Sequence, residues 1–399
     1  MQNEFMGYER DNGTVGIRNK IAIVPSVICA QHVANRIAQK VDGAVALVNV
    51  GGCGQLGLDF QFTANVLAGC AANPNVYGAV VVGLGCENMT SDIIRKRIEQ
   101  SRKRVESFDI QDVRGGSPGA IEKGIEIAKK MQSEASELKK EPFDFSHLVL
   151  GLECGSSDAF SGISSNPATG IVSDRIVRLG GTSILPEFTE WVGTEHLLAK
   201  RAVNDAVGRL IKDAIHAFLD EMERQGTDFR LTQPTLGNRK GGLSTIEEKS
   251  LGTIAKAGKL PIQGMILYGG KPKGKGLWLL LEPGLDIESM TGLAAAGAQV
   301  IIFTTGRGSP AGNVISPTIK VTGNPNTSEY MGINLDVDAS GVVTGKQSID
   351  ELGELIWDKL VKTCNGELTQ AEKLGHEEMA IWRVPPVPGK IFEKFADLI

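Results

Sequence analysis

The sequence predicts an α/β protein made of two doubly wound, mainly parallel sheet domains, and three observations lead there. Short, β-branched apolar runs alternate with longer amphipathic stretches. Several of the apolar runs end in glycine-rich turns. The charged, proline-bearing segment KKMQSEASELKKEPFDFSH at 129–147 separates two such series. The expected division is an N-terminal α/β domain at 1–143 and a C-terminal α/β domain at 144–399. An active site is expected at the C-terminal ends of the strands, where open parallel sheets present their ligands.

In chain order, strands are expected at 21–27, 44–50, 79–85 and 105–112. Helices follow them to about residue 40, over 60–72, over 91–103 and to about 137. The second series has strands at 147–154 and 182–187, a long polar helix over roughly 195–224 and a Gly/Pro/Asn-rich loop at 226–245. Further strands are expected at 263–269, 275–284, 299–306 and 318–324. A helix near 348–363 and a proline-rich extended tail containing VPPVPGK complete the reading.

Composition limits the function. The 399 residues carry 41% hydrophobic and 22% charged residues, as ordinary globular proteins do. A net charge of −5 disfavours nucleic-acid or anionic-membrane partners. The opening residues lack the basic flank and apolar stretch of a signal peptide, and no apolar run reaches about 18 residues. A cytoplasmic protein is expected, and there six cysteines are ligands, nucleophiles or buried fillers rather than disulfides.

Three cysteines share one address. Cys53 (GGCGQ), Cys86 (GLGCEN) and Cys154 (LECGSSD) each follow an apolar strand and sit beside or near glycine. Cys29 also follows a strand, in SVICAQH. Thiolates suit iron and zinc, and three of them would leave an open coordination position acting as a Lewis acid. Small buried residues at tight strand–helix turns are the alternative. The expectation is that Cys53, Cys86 and Cys154 converge at one sheet edge facing Arg307.

Other motifs point to an anionic substrate. ECGSSDAFSGISSNPATG (153–170) gathers Ser156, Ser157, Asp158 and Asn166 at the start of a helix, where free N–H groups suit a carboxylate and N-capping is the plain alternative. TTGRGSPAGN (304–313) places Arg307 and Ser309 after a strand, and Arg can grip a carboxylate through two hydrogen bonds. NRKGGLSTIEEKS (238–250) adds Arg239, Lys240 and Lys249. His32 and His196 are candidate acid–base groups because imidazole titrates near neutrality. Gly52, Gly54 and Gly57 match G-x-G-x-x-G, but after the second strand and with no acidic residue between Asp59 and Glu87, which disfavours a dinucleotide.

The motifs GYERDNGTVGIRN (7–19), GGCGQ, VGLGCEN, ECGSSDAFSGISSNPATG, LGNRKGGLSTIEEKSLG (236–252) and FTTGRGSPAGN together resemble the altronate/galactarate dehydratase family, in order and across nearly the whole chain. The resemblance implies an iron-dependent lyase that takes water from a sugar acid to give a 2-keto-3-deoxy acid. The iron is Fe2+ or an iron–sulfur cluster. A related branch releases sulfite and pyruvate from sulfolactate. A base would remove the proton α to a carboxylate while metal and cations stabilise the charge that develops. Lys249 and Asp158 join His32 and His196 as catalytic candidates. Arg18, in the first motif, joins Ser156, Ser157, Asn166, Arg239, Lys240, Arg307 and Ser309 as candidates for binding a hydroxy acid.

Single-chain members of the resembling family carry a small SAF-type domain before the first motif, and the resemblance implies that this domain contributes a metal-binding histidine. Here six residues precede Gly7, so the expectation is a separate small SAF-type subunit in a hetero-oligomer. Two other classes compete: a nicotinamide-dependent oxidoreductase and a non-catalytic scaffold subunit. Polar loops after several strands argue against the scaffold.

Overall fold

The computed structural model describes residues 4–282 and 284–384. The chain forms two compact units. Of the described residues, the larger contains 4–18, 73–75, 139–282 and 284–379, and the smaller contains 19–72, 76–138 and 380–384. The predicted class holds, with one wholly parallel sheet in each unit.

In the larger unit seven strands lie in the order Ile262–Leu267, Gly276–Leu281, Thr182–Leu185, Val149–Gly155, Val300–Thr305, Thr318–Thr322, Val337–Asp338. Alternation along the central strands sorts their side chains to two faces. Leu150, Leu152, Val300 and Ile302 join helices Ser165–Arg178 and Ile349–Cys364 in one core. Ile301 and Phe303 join Met290 and Leu293 of helix Asp286–Ala295 in another. Burial on both faces explains why these strands read as continuous apolar runs. The strand direction of travel reverses between Val149–Gly155 and Val300–Thr305, so their loops diverge there and open a crevice.

The smaller unit has four parallel strands in the order Ala44–Ala46, Lys20–Pro25, Val76–Gly83, Arg104–Asp109. Helices Gln31–Ala38 and Gly116–Ser136 share a core with Ile21, Ile23, Val80 and Val82. Helices Gly57–Ala71 and Ser91–Glu99 pack against the sheet as well.

Several elements depart from expectation. The second strand is only Ala44–Ala46, because Asn49 turns the backbone by accepting from Gly51 N–H and donating to the Pro25 and Ser26 carbonyls. The long helix breaks into Glu195–Lys200 and Asp205–Arg224, where Asn204 caps the second piece and Ala202 bridges to Ile262. The loop at 226–245 holds two short helices, Phe229–Thr232 and Leu236–Lys240. The antiparallel sheet of Val15–Gly16, Glu4–Glu9 and Glu141–Asp144 was not expected. Of the VPPVPGK tail, 385–390 lies outside the described residues.

Gly170 is where helix Ser165–Arg178 meets the end of helix Ile246–Ala255. A Cβ there would sit 2.3 Å from the Ala255 carbonyl oxygen. Backbone cannot swing aside as a side chain can, so Gly170→Ala is expected to cost about 1–3 kcal/mol. Urea denaturation would show this as a lower midpoint, and an unchanged midpoint would mean that the helices separate freely.

Candidate active site

Three neighbouring strands of the larger sheet carry a glutamate at their C-terminal ends. Glu153 lies in Val149–Gly155, Glu187 follows Thr182–Leu185 and Glu282 follows Gly276–Leu281. All three are buried. Glu187 takes a left-handed backbone (φ +68°), turning the chain into the short 3-10 helix Phe188–Trp191 that carries Glu190. Its N–H donates to Glu282 Oε1, and Glu282 Oε2 accepts from Gly284 N–H at 2.8 Å and Ser289 Oγ at 2.7 Å.

Helix Ile246–Ala255 faces this acidic bed. Thr245 caps it by accepting from Glu248 N–H at 3.2 Å. Lys249, Thr253 and Lys256 follow at i, i+4 and i+7, hence on one helical face. Lys256 Nζ lies 2.7 Å from Glu187 Oε2, with both side chains essentially inaccessible (0% and 1% exposed). Lys249 Nζ lies 2.6 Å from Glu190 Oε1, and Thr253 Oγ1 donates to Glu190 Oε2 at 2.6 Å. Between the pairs sits the Cys154 thiol, 3.5 Å from Glu187 Oε2 and 3.5 Å from Glu190 Oε2.

The electrostatics separate these groups. Burial and the adjoining Glu187 and Glu190 push the Cys154 thiol well above its ordinary range, so it stays protonated. Burial raises Glu187 to about 7 although Lys256 pulls the other way. Burial also opposes ionisation of Glu190, but Lys249, Lys256 and Thr253 hold its carboxyl below the usual range. Burial works against charge on Lys249, and Glu190 outweighs it, keeping the ammonium protonated. Glu153 is driven well up by burial and then by Glu187, and neither of its carboxyl oxygens has a hydrogen-bond partner.

Glu282, raised to about 8 by burial, makes a testable contribution to stability. Its folded pKa exceeds the unfolded one, so its proton favours the folded state fully below about 4.5 and that advantage is lost as pH rises through about 8. Glu153 acts in the same direction. The unfolding free energy is therefore expected to fall between about pH 5 and 8, and Glu282→Gln should flatten the slope. A stability that rises across this window would contradict the assignment.

A cavity of about 230 Å³ opens beside the cluster. Ser157, Asp158, Asn166, Lys249 and Thr253 contribute its polar lining. Asn166 donates to the Gly252 carbonyl at 2.9 Å, while its own buried Oδ1 has no partner and would accept from a hydroxyl. At the adjoining crevice Ser156 and Ser309 hydroxyls lie 3.0 Å apart, and Arg307 N–H donates to the Ser156 carbonyl at 3.1 Å. Lys320, buried beneath, donates to the Ser309 carbonyl at 2.6 Å. Burial lowers its pKa to about 8.

The remaining candidates have other surroundings. Asp158 spends one oxygen capping helix Ala159–Ile163 through Ser161 and the other on Asn324 Nδ2 at 2.8 Å. The exposed Arg307 reaches the Gly237 carbonyl at 3.4 Å. Arg239 is exposed and bonds the Pro234 and Leu231 carbonyls, and Lys240 is exposed at the end of the same short helix. Arg18 forms a two-pronged pair with Glu372 at 2.8 and 2.9 Å and also bonds the carbonyls of Thr363 and Glu367. His196 is exposed on helix Glu195–Lys200, and His32 is exposed on Gln31–Ala38 of the smaller unit.

One expectation is corrected. Cys53, Cys86 and Cys154 do not share a sheet edge, because Cys154 belongs to the seven-stranded sheet while Cys53 and Cys86 follow strands of the four-stranded one. The similar glycine-rich turns arise because two parallel sheets repeat the same strand-to-helix geometry. Sequence reasoning also passed over Glu153, Glu187, Glu282 and Lys256. Their signal was a charge closing or following an apolar run, in LGLE, ILPE and LLLE.

Among the described residues, Cys154, Glu187 and Glu190 are the group whose ligand atoms gather within 4.8 Å as a metal site would require. They fit a cation poorly, since the Lys256 and Lys249 ammoniums already neutralise the two carboxylates and the thiol is protonated. Exposed thiols at Cys53 and Cys86 have donor chemistry suited to iron.

A buried lysine–glutamate array beside a polar cavity, at the C-terminal edge of a parallel sheet, marks a candidate enzyme active site. Comparison with known proteins defines which kind. Residues 7–136 match the second domain of D-galactarate dehydratase/altronate hydrolase, and 145–387 match the C-terminal domain of D-galactarate/altronate dehydratase. The chain is 37% identical over 384 residues to the (2R)-sulfolactate sulfo-lyase subunit beta of Chromohalobacter salexigens, covering 95% of this chain and 97% of that one. It is 36% identical over 392 residues to altronate dehydratase of Bacillus subtilis (95% and 77% covered). It is 32% identical over 404 residues to galactarate dehydratase (L-threo-forming) of Escherichia coli (96% and 77%). The chain belongs to the D-galactarate/altronate dehydratase family. Among the described residues, no helix is long and apolar enough to cross a membrane.

Proposed function

We propose that this chain is a lyase that eliminates water from a sugar acid of the altronate or galactarate type, giving a 2-keto-3-deoxy acid. The observation that carries the reading is Lys249, an ammonium held charged by Glu190 on the wall of a polar cavity among Ser157, Asn166 and Thr253. Loss of an α-proton builds negative charge on the substrate carboxylate, and a fixed cation there stabilises it. Asn166 and Ser157 orient the hydroxyls, Asp158 holds the loop that presents them, and Arg307 with Ser309 grips the far end of the acid.

Iron is the proposed metal, with Cys53 and Cys86 among its ligands. When bound it would supply Lewis-acid polarisation of a substrate hydroxyl or carboxylate. The name of the sulfo-lyase relative, a subunit beta, supports a small partner subunit and a hetero-oligomer. A cytoplasmic location goes with this reading.

That same relative favours a second reading, release of sulfite and pyruvate from sulfolactate. Incubating the chain, with and without a small partner, with altronate, galactarate and sulfolactate separates the two. Keto-acid formation from an aldonate or aldarate without sulfite is expected. Sulfite from sulfolactate alone would establish the second reading, and no turnover of any of the three would remove both.

A further inference from the structure

We infer that Arg383 is a positioning residue: through Asp59 and Gln55 it fixes the shape of the glycine-rich loop at 51–55. Residues 380–384 thereby act as a strap on the smaller unit. The effect on turnover rests on the proposed lyase reading, and the effect on the loop does not.

The loop has little order of its own. Cys53 stands between two glycines with positive φ, Gly52 at +97° and Gly54 at +71°. Backbone freed in this way has many conformations to lose, so outside contacts must select one. Some contacts come from neighbouring loops. Ile28 N–H donates to the Gly51 carbonyl at 2.9 Å, and Met89 N–H donates to the Gly52 carbonyl at 3.1 Å. Gly54 N–H donates to Asn88 Oδ1 at 3.0 Å. The N–H of Gly52 is taken by the Gln55 side chain, whose Oε1 accepts from it at 2.5 Å.

Gln55 is held in turn by helix Gly57–Ala71. Its Nε2 donates to Asp59 Oδ2 at 2.9 Å and to Thr63 Oγ1 at 2.8 Å. Asp59 and Thr63 are four apart and so share one helical face. All three side chains are buried. An ionised carboxylate only accepts hydrogen bonds. A charged Asp59 therefore obliges Gln55 to present Nε2 to the helix and Oε1 to Gly52.

Arg383 supplies the cation that keeps Asp59 charged. Its Nε and Nη2 donate to the two Asp59 oxygens, each at 2.8 Å, and Val384 N–H adds a third donor at 3.0 Å. Burial works against charge on Asp59, which is 1% exposed. Arg383 leads the groups that outweigh burial and hold the carboxyl below its ordinary range. The strap is seated by more than this pair. Trp382 stacks on Phe62 of the same helix with ring centroids 5.6 Å apart, and Ile381 is buried. A Cβ on Gly51 would collide with Gln55 Oε1 and lie 2.9 Å from Arg383 Nη1, so strap and loop pack against each other.

Control thus runs inward from a residue 324 positions beyond Asp59. Arg383 keeps Asp59 charged, Asp59 orients Gln55, and Gln55 fixes Gly52 beside Cys53. The loop follows strand Ala44–Ala46 at the C-terminal edge of its sheet, where parallel sheets present residues to ligands.

Hydrogen exchange of the full chain, read by mass spectrometry at single-amide resolution, tests this. Arg383→Ala should speed exchange at the Gly52 and Gly54 N–H groups by about 10- to 100-fold, as the loss of one charge-assisted tether implies. Strand Val300–Thr305 of the larger unit should keep its wild-type rates. Gln55→Ala should accelerate the same two amides, and the double variant should be no faster than Gln55→Ala, because both break one chain of bonds. Arg383→Lys offers a point charge that cannot fork over both oxygens, so its rates should fall between those of wild type and Arg383→Ala. It takes the place of Arg383→Ala in the comparison if the alanine variant misfolds. Where a hydroxy acid is turned over, Arg383→Ala and Gln55→Ala should lower kcat by the same factor. Wild-type exchange at Gly52 in Arg383→Ala, effects that multiply in the double variant, equal acceleration across both units, or unchanged kcat in an active enzyme would each overturn the inference. Absence of turnover in the wild type, with exchange behaving as expected, would remove the lyase reading and leave the strap standing.

Discussion

Replacing Lys256 by methionine is expected to destabilise the protein by about 3–5 kcal/mol, because it strips a buried carboxylate of its cation. Lys256 and Glu187 meet at 2.7 Å with essentially no solvent access. In the variant Glu187 would stay charged beside Glu190, or it would bind a proton. Because Glu187 titrates at about 7 in the native pair, proton uptake relieves the loss at and below pH 7, and the full loss is expected above that pH. The double variant Lys256→Met/Glu187→Gln should recover most of the loss, because a neutral pair of similar volume avoids both penalties. Chemical denaturation of the three proteins checks this, and a single-variant loss under about 1 kcal/mol would show that water reaches the pair.

Lys249→Met is expected to lower kcat/KM by about 10²–10⁴ while the fold persists. Lys249 is nearly as buried as Lys256 (11% exposed), but it lines the cavity. Its partner Glu190 also accepts from Thr253, which steadies that carboxylate when the ammonium is gone. Lys249→Arg keeps the charge but replaces a compact ammonium with a planar fork, so partial activity is expected. Steady-state kinetics on an aldonate or aldarate decides the matter. Equal activity in the wild type and the methionine variant would move the chemistry elsewhere.

The fold was largely legible because fully buried parallel strands leave unmistakable apolar runs, such as AVVVG and VIIFTT. The N-terminal antiparallel sheet was not, since its strand Glu4–Glu9 pairs with Glu141–Asp144 far along the chain, and its alternating burial falls on Phe5 and Gly7 with the apolar Met6 exposed between them, which hides the period in the sequence. The break at 201–204 was hidden because Asn204 reads as an ordinary polar residue until its cap is seen. Lys249, Ser157 and Asn166 were singled out because they stand in dense polar motifs, and the structure places all three on the wall of one cavity. Glu187 and Lys256 were missed because a buried ion pair requires two residues 69 positions apart, and no local pattern records that distance. The cysteines showed the limit from the other side: the address of each was read correctly, but sequence could not say which sheet each belongs to.

The left-handed backbone at Glu187 has a consequence for how this site can change over time. Glycine would sit more comfortably at φ +68°, so local strain favours discarding the side chain. Lys256 forbids that step alone, since its ammonium would be left buried without a counter-charge. Losing Lys256 first fails for the mirror reason. Positions 187 and 256 therefore form a two-key lock. Drift towards a simpler, apolar interior must pass through a poorly stable intermediate, which protects the acidic array without any direct selection on its chemistry.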